Sequence, residues 1–503
     1  MYDSIEYEPD NWDIRAPLYF PDLNLDQIIG AILAGKEEYR LEPFFYRSLK
    51  DISSINYRLD VMRDVENPDI YNAITVFAAG MKRIREYMGF SLTLHNSLQK
   101  KKWLLDAAGL YCETVSVLHA VLASLHIGSS GLRLFCDWLT GYLGSDAYKT
   151  LYTDTDSLFK EFGSIRYSVE IEGDRVIVGE DRYCDDYCEL MKESFGRIND
   201  TVFDYSIRFF TDVEMCSLEG RIIDIISDMY APVFKRLDEY CSKHLDFMDR
   251  TLERFVREIQ FYICFRDYIK KLGRSGFCFT YPSVSLKKEI RLTGGYDLAL
   301  AQKCPGLGAA IVPNDFLSIG GERIFILTGP NQGGKTTFAR TVGQIVFFAL
   351  LGCPVPCVTA DICLIDNIFT HFSVEENPGG NTGRLKEELL RLKCIMNNMT
   401  ANSLIIINEL FASTTSNDAF KMGKRILDHF GALDCFCLYV THIHELAGIN
   451  GKTVSLVAAV DKDRGAARTY RIIRKQADGR AYANSIAEKY HLTYEAIKGR
   501  IGT

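Results

Sequence analysis

Residues 328–337 read Thr-Gly-Pro-Asn-Gln-Gly-Gly-Lys-Thr-Thr, and this stretch decides the fold class of the chain. It contains the pattern Gly329-x4-Gly334-Lys335-Thr336. An apolar run at residues 324–327 precedes the pattern and suits a buried parallel strand, while residues 338–350 have the composition of a helix. A glycine-rich loop between a strand and a helix is the setting in which this pattern binds phosphate. The stretch therefore predicts an α/β domain with a phosphate-binding loop.

The residue types of the loop suit a nucleoside triphosphate. Glycines allow the backbone to curl so that successive N–H groups face one centre, and the following helix adds the positive end of its dipole. Lys335 would reach the β and γ phosphates, and the Thr336 hydroxyl would bind Mg²⁺. The predicted nucleotide-binding residues are Gly329, Pro330, Asn331, Gln332, Gly333, Gly334, Lys335, Thr336 and Thr337.

A second apolar strand, at residues 404–407, ends in the polar pair Asn408-Glu409. An ATPase with this type of loop needs an acid at the end of such a strand, and the usual pair is Asp followed by Glu. Asn408 keeps an oxygen that can bind Mg²⁺ but lacks the charge, so we expect a weak metal site formed by Thr336 and Asn408. Glu409 supplies the carboxylate that can act as a general base.

A third apolar strand, at residues 435–440, leads into Thr441-His442. His442 would lie near the γ-phosphate as a second catalytic residue; the alternative is a strand-end histidine with local partners. His444-Glu445 begins the pattern of a zinc protease helix, but Gly448 stands where that pattern needs a second histidine. The sequence therefore excludes that class of protease.

The bulk composition limits the remaining possibilities. A chain of 503 residues is too long for one core, so three or four domains are expected. The acidic N-terminus lacks the basic and apolar blocks of a signal peptide, and no apolar stretch is long enough to predict a membrane span. Fifteen scattered cysteines without a CxxC pair indicate reduced thiols in a cytoplasmic protein. The formal charge of −8 excludes a uniformly basic surface but allows a local basic lining.

The order of the segments predicts a multidomain protein that is mainly α in its N-terminal part. Helical spacing of apolar residues runs through most of residues 1–275, including a single helix of roughly eight turns over 234–263. Alternating residues at 165–171 and 176–178, around Glu172-Gly-Asp174, predict a β-hairpin. From residue 276 onward, apolar strands alternate with helices, which is typical of a parallel α/β sheet.

Several of these motifs together resemble the ATPase domain of the MutS family of DNA mismatch-repair proteins, which belongs with the ABC-type ATPases. The resemblance is carried by the loop at 328–337, by Asn408-Glu409 with Ser413-Thr-Thr-Ser-Asn-Asp418, and by Thr441-His442-x-x-Glu445-Leu446. Residues 365–370 and 477–487 are similar to further family segments. The resemblance is specific over about residues 300–490 and weaker upstream.

The resemblance implies a set of domains and partners. Residues 1–135 would be the first part of a helical core, 136–210 a lever and clamp-like tip, 211–275 returning lever and core helices, and 276–503 an ABC-type P-loop ATPase domain with a C-terminal dimerisation segment. It implies a homodimer that binds ATP, Mg²⁺ and DNA, with hydrolysis driving closure of the heads and movement of the clamp tips.

Four departures from the family pattern modify these expectations. The chain begins near the family's core domain, so the mismatch-reading and connector domains are expected to be missing. Asn408 replaces the family's Asp, which predicts slow hydrolysis. Gly383, beside Thr382, stands where the family has the serine that acts across the dimer. An aliphatic residue near Ile311 replaces the aromatic residue that stacks on adenine.

The basic residues that could contact DNA are few. Lys100-Lys101-Lys102 lies beside Trp103, and Arg166 and Arg175 flank the hairpin. The lysine run is also typical of a solvated helix face. A second interpretation is therefore a nucleotide-gated interaction protein that holds a protein partner or branched DNA with little hydrolysis. A third, a small-molecule phosphotransferase, fits poorly because the sequence has no evident lid or acceptor pocket.

Overall fold

A computed structural model describes the fold of this chain. The described residues are 15–180, 214–304, 311–372, 384–411, 414–461 and 467–476, together with residues 494, 497 and 498. They contain helices throughout and strands that form a hairpin and two larger sheets. The protein is therefore multidomain with mixed sheets, as the sequence predicts.

The helices of the described residues are α1 (Tyr19–Asp22), α2 (Leu25–Leu33), α3 (Glu42–Tyr46), α4 (Ile52–Glu66), α5 (Pro68–Thr93), α6 (Ser97–Ser124), α7 (Ser130–Gly144), α8 (Asp146–Ser164), α9 (Ser217–Met229), α10 (Ala231–Lys243), α11 (Arg250–Gly273), α12 (Leu298–Lys303), α13 (Lys335–Leu350), α14 (Arg384–Asn398) and α15 (Ser416–Leu433). The strands are β1 (Tyr167–Glu172), β2 (Arg175–Glu180), β3 (Ser283–Ser285), β4 (Ile290–Gly295), β5 (Asn314–Ser318), β6 (Ile324–Thr328), β7 (Thr359–Cys363), β8 (Ile368–Phe372), β9 (Leu404–Asn408), β10 (Phe436–Val440), β11 (Thr453–Asp461) and β12 (Ala467–Arg474).

The chain divides into two compact units. The head unit combines residues 1–66 with 260–503, and the arm unit consists of residues 67–259. The limits that the sequence suggests for the core, lever and ATPase domains stay predictions.

A six-stranded sheet forms the centre of the head unit. Its strand order is β12-β11-β6-β10-β9-β8, and every neighbouring pair is parallel except β11 and β12. All residues of β6, β9 and β10 are buried, which explains why these strands have continuous apolar sequences. The three predicted strands and the predicted helix after the glycine loop are confirmed. Since the five strands β11, β6, β10, β9 and β8 are parallel, their carboxyl ends meet at one edge.

A second sheet in the head unit, with the order β3-β7-β4-β5, has no counterpart in the sequence prediction. Its strands are three to six residues long and alternate between buried and exposed positions, as β4 does. Short alternating strands give a weak sequence signal, which explains the omission.

The first described helices pack against the central helix α13 of the head unit. The ring of Phe20 lies 5.4 Å from the ring of Phe347, and the Leu49 amide donates to the Leu350 carbonyl at 2.9 Å. A Cβ atom added to Gly343 would lie 2.7 Å from Leu23, so the helix has no side chain where this segment crosses it. Residues 19–66 are therefore part of the head core.

The arm unit is helical with one hairpin. Helices α5 and α6 pack closely where Gly80 faces Thr114, and Trp103 packs against the rings of Tyr87 and Phe90. Helix α6 is long and apolar enough to cross a membrane by length and composition, a test that core helices also pass. The hairpin of β1 and β2 is confirmed, with its turn at Gly173, which has a φ of 64°.

The single helix predicted over residues 234–263 is wrong. The chain leaves the helical conformation after Lys243 and resumes it at Arg250. Phe247 turns inward and packs at 5.3 Å from the Tyr111 ring, and the Asp249 carboxylate accepts the Thr251 amide at 2.7 Å. A helix-capping aspartate and an inserted aromatic ring therefore interrupt a sequence whose apolar spacing runs on without a break.

Candidate functional site

The glycine-rich loop begins where β6 ends and leads directly into α13. Gly329 has a φ of 130°, and a Cβ atom there would lie 2.8 Å from Ala458 on β11. Gly334 has a φ of 88° and forms the N-cap of α13. Both positions favour glycine because φ is positive, and at Gly329 the space for a side chain is also filled. The loop therefore brings the amino end of a sixteen-residue helix to the edge of the sheet.

Lys335 follows the loop and is 5% exposed. Its ammonium group donates to the Gly329 carbonyl at 2.8 Å and to the Pro330 carbonyl at 3.3 Å. Burial lowers the pKa of Lys335, and the charge of Glu409 opposes that shift. A buried cation with mainly neutral acceptors is a strong site for an anion, because an ionised acceptor forms a stronger hydrogen bond.

Thr336 and Asn408 meet between α13 and the end of β9. The Thr336 hydroxyl donates to the Asn408 side-chain oxygen at 3.2 Å. Asn408 is 8% exposed. The two residues that the sequence predicts as metal-binding are therefore neighbours in the structure, and both offer neutral oxygen atoms.

Glu409 and His442 also come together, from the ends of β9 and β10. His442 Nε2 lies 3.0 Å from Glu409 Oε1. The hydrogen bond with His442 lowers the pKa of Glu409, although burial opposes it, and the charges of His442 and Lys335 lower it further. The Glu409 amide donates to the Val440 carbonyl at 3.0 Å. The carboxylate is therefore ionised at neutral pH, and its backbone is fixed to the neighbouring strand.

A cavity of about 390 Å³ lies beside Lys335, Thr336 and Glu409. Small-molecule sites typically measure about 300–1,000 Å³. It is lined by loop residues, by Glu409, and by residues from α12, β5, β12 and the segment before β5, among them Leu300, Ile311, Val312, Asn314 and Tyr470. Ile311, where the sequence analysis expects an aliphatic replacement for an aromatic ring, is thus part of the cavity wall.

Tyr470 is a site residue that the sequence analysis misses. It is 49% exposed, has a φ of 57°, and lies in β12 at an irregularity in the pairing with β11. Asn314 fixes this irregular backbone from β5, since its amide donates to the Tyr470 carbonyl at 3.0 Å and its oxygen accepts the Ile472 amide at 2.7 Å. Bulges often re-aim a side chain at functional sites, and here the ring lies beside Gly334. Simple alternation along β12 cannot reveal the orientation of Tyr470, because the bulge changes the register.

Three of the predicted DNA-contacting residues, Lys101, Lys102 and Arg166, have protein partners. Lys101 pairs with Asp238 at 2.6 Å, and Lys102 forms an ion pair with Asp106. Arg166 donates to the Gly163 carbonyl at 2.9 Å at the end of α8. Contacts of this kind are typical of charged residues on a solvated helix face or at the end of a helix.

Some sequence motifs lie outside the described residues. These are the candidate trans-acting residues Thr382 and Gly383, Ser413 and the segment 477–487. Across the ranges that the structure does describe, no three His, Cys, Asp or Glu side chains come close enough to hold a metal ion.

Comparison with known proteins places this site in a family. Residues 325–499 match the model of MutS domain V. The match supports a MutS-family protein. The match includes the glycine loop, the Asn408-Glu409 pair, His442 and Tyr470.

Relatives of the MutS family match parts of the chain. It is 35% identical over 161 residues to the DNA mismatch repair protein MSH2 of Saccharomyces cerevisiae, covering 31% of this chain and 17% of that protein. It is 30% identical over 278 residues to the DNA mismatch repair protein MutS of Ruminiclostridium cellulolyticum, covering 54% and 30%. The identity to the DNA mismatch repair protein msh-2 of Neurospora crassa is 37% over 125 residues, covering 25% and 13%. The matched regions thus span less than a third of each relative.

Proposed function

We propose that this chain is a MutS-related ATPase in which ATP binding and slow hydrolysis drive a DNA-binding clamp of two subunits. One observation supports the proposal above the others: Lys335, Thr336, Asn408, Glu409 and His442 converge at one edge of a parallel sheet. Ligands of open α/β sheets bind outside the carboxyl ends of the strands.

The loop would bind the triphosphate of ATP. Lys335 would exchange its contacts with the Gly329 and Pro330 carbonyls for the β and γ phosphates, and backbone N–H groups at the start of α13 would complete the anion site. Tyr470 would stack on the base, with the aliphatic side chains of Ile311 and Leu300 in the same cavity. Stacking adds affinity for a planar base without hydrogen-bond selection.

Thr336 and Asn408 would hold Mg²⁺, because their oxygen atoms already lie 3.2 Å apart beside the loop. Hard cations prefer oxygen ligands, and neutral ligands bind them more weakly than carboxylates do. Bound Mg²⁺ would neutralise phosphate charge. The uncharged pair is the reason to expect slow turnover.

Glu409 would accept a proton from the attacking water, and His442 would position that carboxylate. The low pKa of Glu409 keeps it ionised, as a base must be before the reaction. Its proximity to Lys335 supports this role, because that lysine would hold the phosphates.

The clamp mechanism extends these roles to the whole chain. ATP binding that favours a closed pair of head units would shift the equilibrium between open and closed states. The arm helices would transmit this change to the tips that hold DNA. The names of the relatives refer to DNA mismatch repair, and we extend a DNA-repair role to this chain on that basis.

A second candidate function is supported by the hairpin. Between residues 166 and 180 the sequence has two arginines and four carboxylates. Val169 and Ile171 point to the same side of β1 and are 43% and 76% exposed. An acidic hairpin with an exposed apolar side suits a protein partner better than a phosphate backbone. A nucleotide-gated clamp for a protein partner or branched DNA is therefore the alternative.

A filter-binding panel of duplex, mismatched and branched DNA tests these proposals, with and without ATP, at two salt concentrations. The DNA clamp predicts retention that depends on ATP and weakens steeply with salt. Absence of retention for every DNA, with ATP binding intact, would refute the DNA clamp and favour the protein-binding alternative.

A further inference from the structure

The loop after β9 has an unusual backbone. Glu409 has a φ of 58° and Phe411 a φ of 63°, so two non-glycine residues within three positions are left-handed. An L-amino acid disfavours this conformation because its Cβ atom comes too close to the following carbonyl oxygen. Surrounding contacts must therefore hold the loop, and those contacts determine where the Glu409 carboxylate lies.

Two hydrogen bonds fix this backbone from different elements. The Glu409 amide is held by the Val440 carbonyl of β10. The Phe411 amide donates to Glu388 Oε2 at 3.3 Å, across 23 positions of sequence. Glu388 is 6% exposed and belongs to α14. The second left-handed residue is therefore held by a buried carboxylate that is absent from the predicted site.

Helix α14 is itself fixed to the head unit. One turn after Glu388, Arg391 forms an ion pair with Asp22, which also accepts the Thr370 hydroxyl at 2.6 Å. The apolar side of the helix, with Leu392 and Ile395, lies in the same buried cluster as Phe411. Glu388 is therefore presented from a helix that cannot easily move relative to the loop.

We propose that Glu388 is a positioning residue for Glu409. By accepting the Phe411 amide, it keeps the loop in its left-handed conformation and holds the Glu409 carboxylate toward the cavity. The inference rests on the proposed role of Glu409 in hydrolysis. Glu388 itself does not line the cavity.

The test uses two substitutions that separate acceptor from charge. Glu388→Met keeps the volume and removes the acceptor, whereas Glu388→Gln keeps an acceptor oxygen and removes the charge. Single-turnover ATP hydrolysis and ATP dissociation constants are measured for both, with the exposed neighbour Glu387→Met as the matched control.

We expect Glu388→Met to slow hydrolysis by about 10- to 100-fold, since misplacement of about 1 Å can have that effect. Its ATP dissociation constant should stay within about twofold, and Glu388→Gln should hydrolyse ATP within about threefold of wild type. Unchanged hydrolysis in Glu388→Met, a parallel loss of ATP affinity, or equal loss in both variants would overturn the inference. If Glu388→Met does not fold, Glu388→Asp shortens the reach of the acceptor and carries the same expectations.

A fourth variant distinguishes failure of this inference from failure of the proposed function. If Glu409→Gln hydrolyses ATP like wild type, the role of Glu409 is wrong and Glu388 has nothing to position. If Glu409→Gln is inactive while Glu388→Met is fully active, only the inference about Glu388 fails.

Discussion

The two ends of the central sheet in the head unit differ in how their charged side chains are paired. At the amino end, Asp434 receives three cations: Lys452 at 2.7 Å, Lys288 at 2.9 Å and Arg323 at 3.2 Å. At the carboxyl end of the same strands, Lys335 is directed at backbone carbonyls, and Glu409 faces a cavity.

This difference in pairing indicates which charged side chains stabilise the fold and which ones face a ligand. At the amino end, each of these charged groups contacts a group of opposite charge without any ligand. At the carboxyl end the charged groups surround a space, and their best partner is an ionised ligand. We therefore expect substitutions at the amino end to change unfolding and substitutions at the carboxyl end to change nucleotide binding or hydrolysis.

The largest effect is expected from Glu409→Gln. Loss of a general base slows a reaction by about 10²- to 10⁴-fold, and the amide keeps the shape of the side chain. Steady-state phosphate release measures the loss, and Glu445→Gln at an exposed site nearby is the control. Turnover equal to wild type would remove Glu409 from the mechanism.

Lys335→Met should weaken ATP binding by about 10- to 100-fold, because it removes a charge-assisted hydrogen bond to phosphate. Titration with a fluorescent ATP analogue gives the dissociation constant. Lys452→Met, at the amino end, should leave that constant unchanged and lower the melting temperature. If Lys335→Met and Lys452→Met weaken ATP binding equally, the proposed difference between the two ends of the sheet is wrong.

Tyr470→Leu should weaken ATP binding by about tenfold, since stacking of a base on an aromatic ring contributes roughly 1–3 kcal/mol. Tyr470→Phe keeps the ring and should bind like wild type. A second titration with inorganic triphosphate, which has no base, makes the test more specific. Tyr470→Leu and Tyr470→Phe should bind the triphosphate equally. Equal loss for triphosphate would assign Tyr470 to the loop instead of the base.

Asp434→Asn should reduce the free energy of unfolding by about 1–2 kcal/mol at pH 7. Although burial opposes it, hydrogen bonds from Lys452 and Lys288 and the charge of Arg323 lower the pKa of Asp434 well below its usual value. Its contribution is therefore complete above the ordinary aspartate pKa of about 3.9 and is lost as the pH falls toward the lowered value. Asparagine tolerates the left-handed backbone at this position, where φ is 66°.

Chemical denaturation between pH 7 and pH 2 checks this prediction. The difference in stability between wild type and Asp434→Asn should shrink as the solution becomes more acidic. The exposed Asp361→Asn is the control. A constant difference across that range would show that the cluster does not stabilise through charge.

The smallest effect is expected from Asn408→Asp. A carboxylate beside Thr336 should raise the affinity for Mg²⁺ severalfold, since ligand charge tunes the binding of hard cations. The Mg²⁺ dependence of ATP hydrolysis measures it. An unchanged dependence would mean that Asn408 does not face the metal.

The sequence predicts which side chains meet at the edge of the central sheet, because the signals for this are local. The apolar runs of β6, β9 and β10 are continuous since these strands are buried on both faces, and the polar residues that follow them must meet at one edge. The glycine loop adds a backbone requirement that few other residues meet. For these reasons Lys335, Asn408, Glu409 and His442 are found before the fold is known.

Features that depend on distant contacts are not predictable in this way. In the sequence, Glu388 is one of several charged residues on a helix. Its contact with the Phe411 amide is visible only in the structure. Tyr470 depends on a bulge that Asn314 fixes from another strand. The packing of residues 19–66 on α13 cannot be predicted from the local spacing of apolar residues, because the partners are hundreds of positions away.

That packing also has a consequence for synthesis. The Gln344 side chain donates to the Leu23 carbonyl, 321 positions away in the chain. At about 5–20 residues per second, the ribosome needs roughly 15–60 s to make the intervening residues. During that interval the apolar residues of α1 and α2 have left the ribosome without the helix that covers them. The segment of α1 and α2 thus reaches these native contacts late in synthesis, and until then its apolar residues are open to binding by a chaperone.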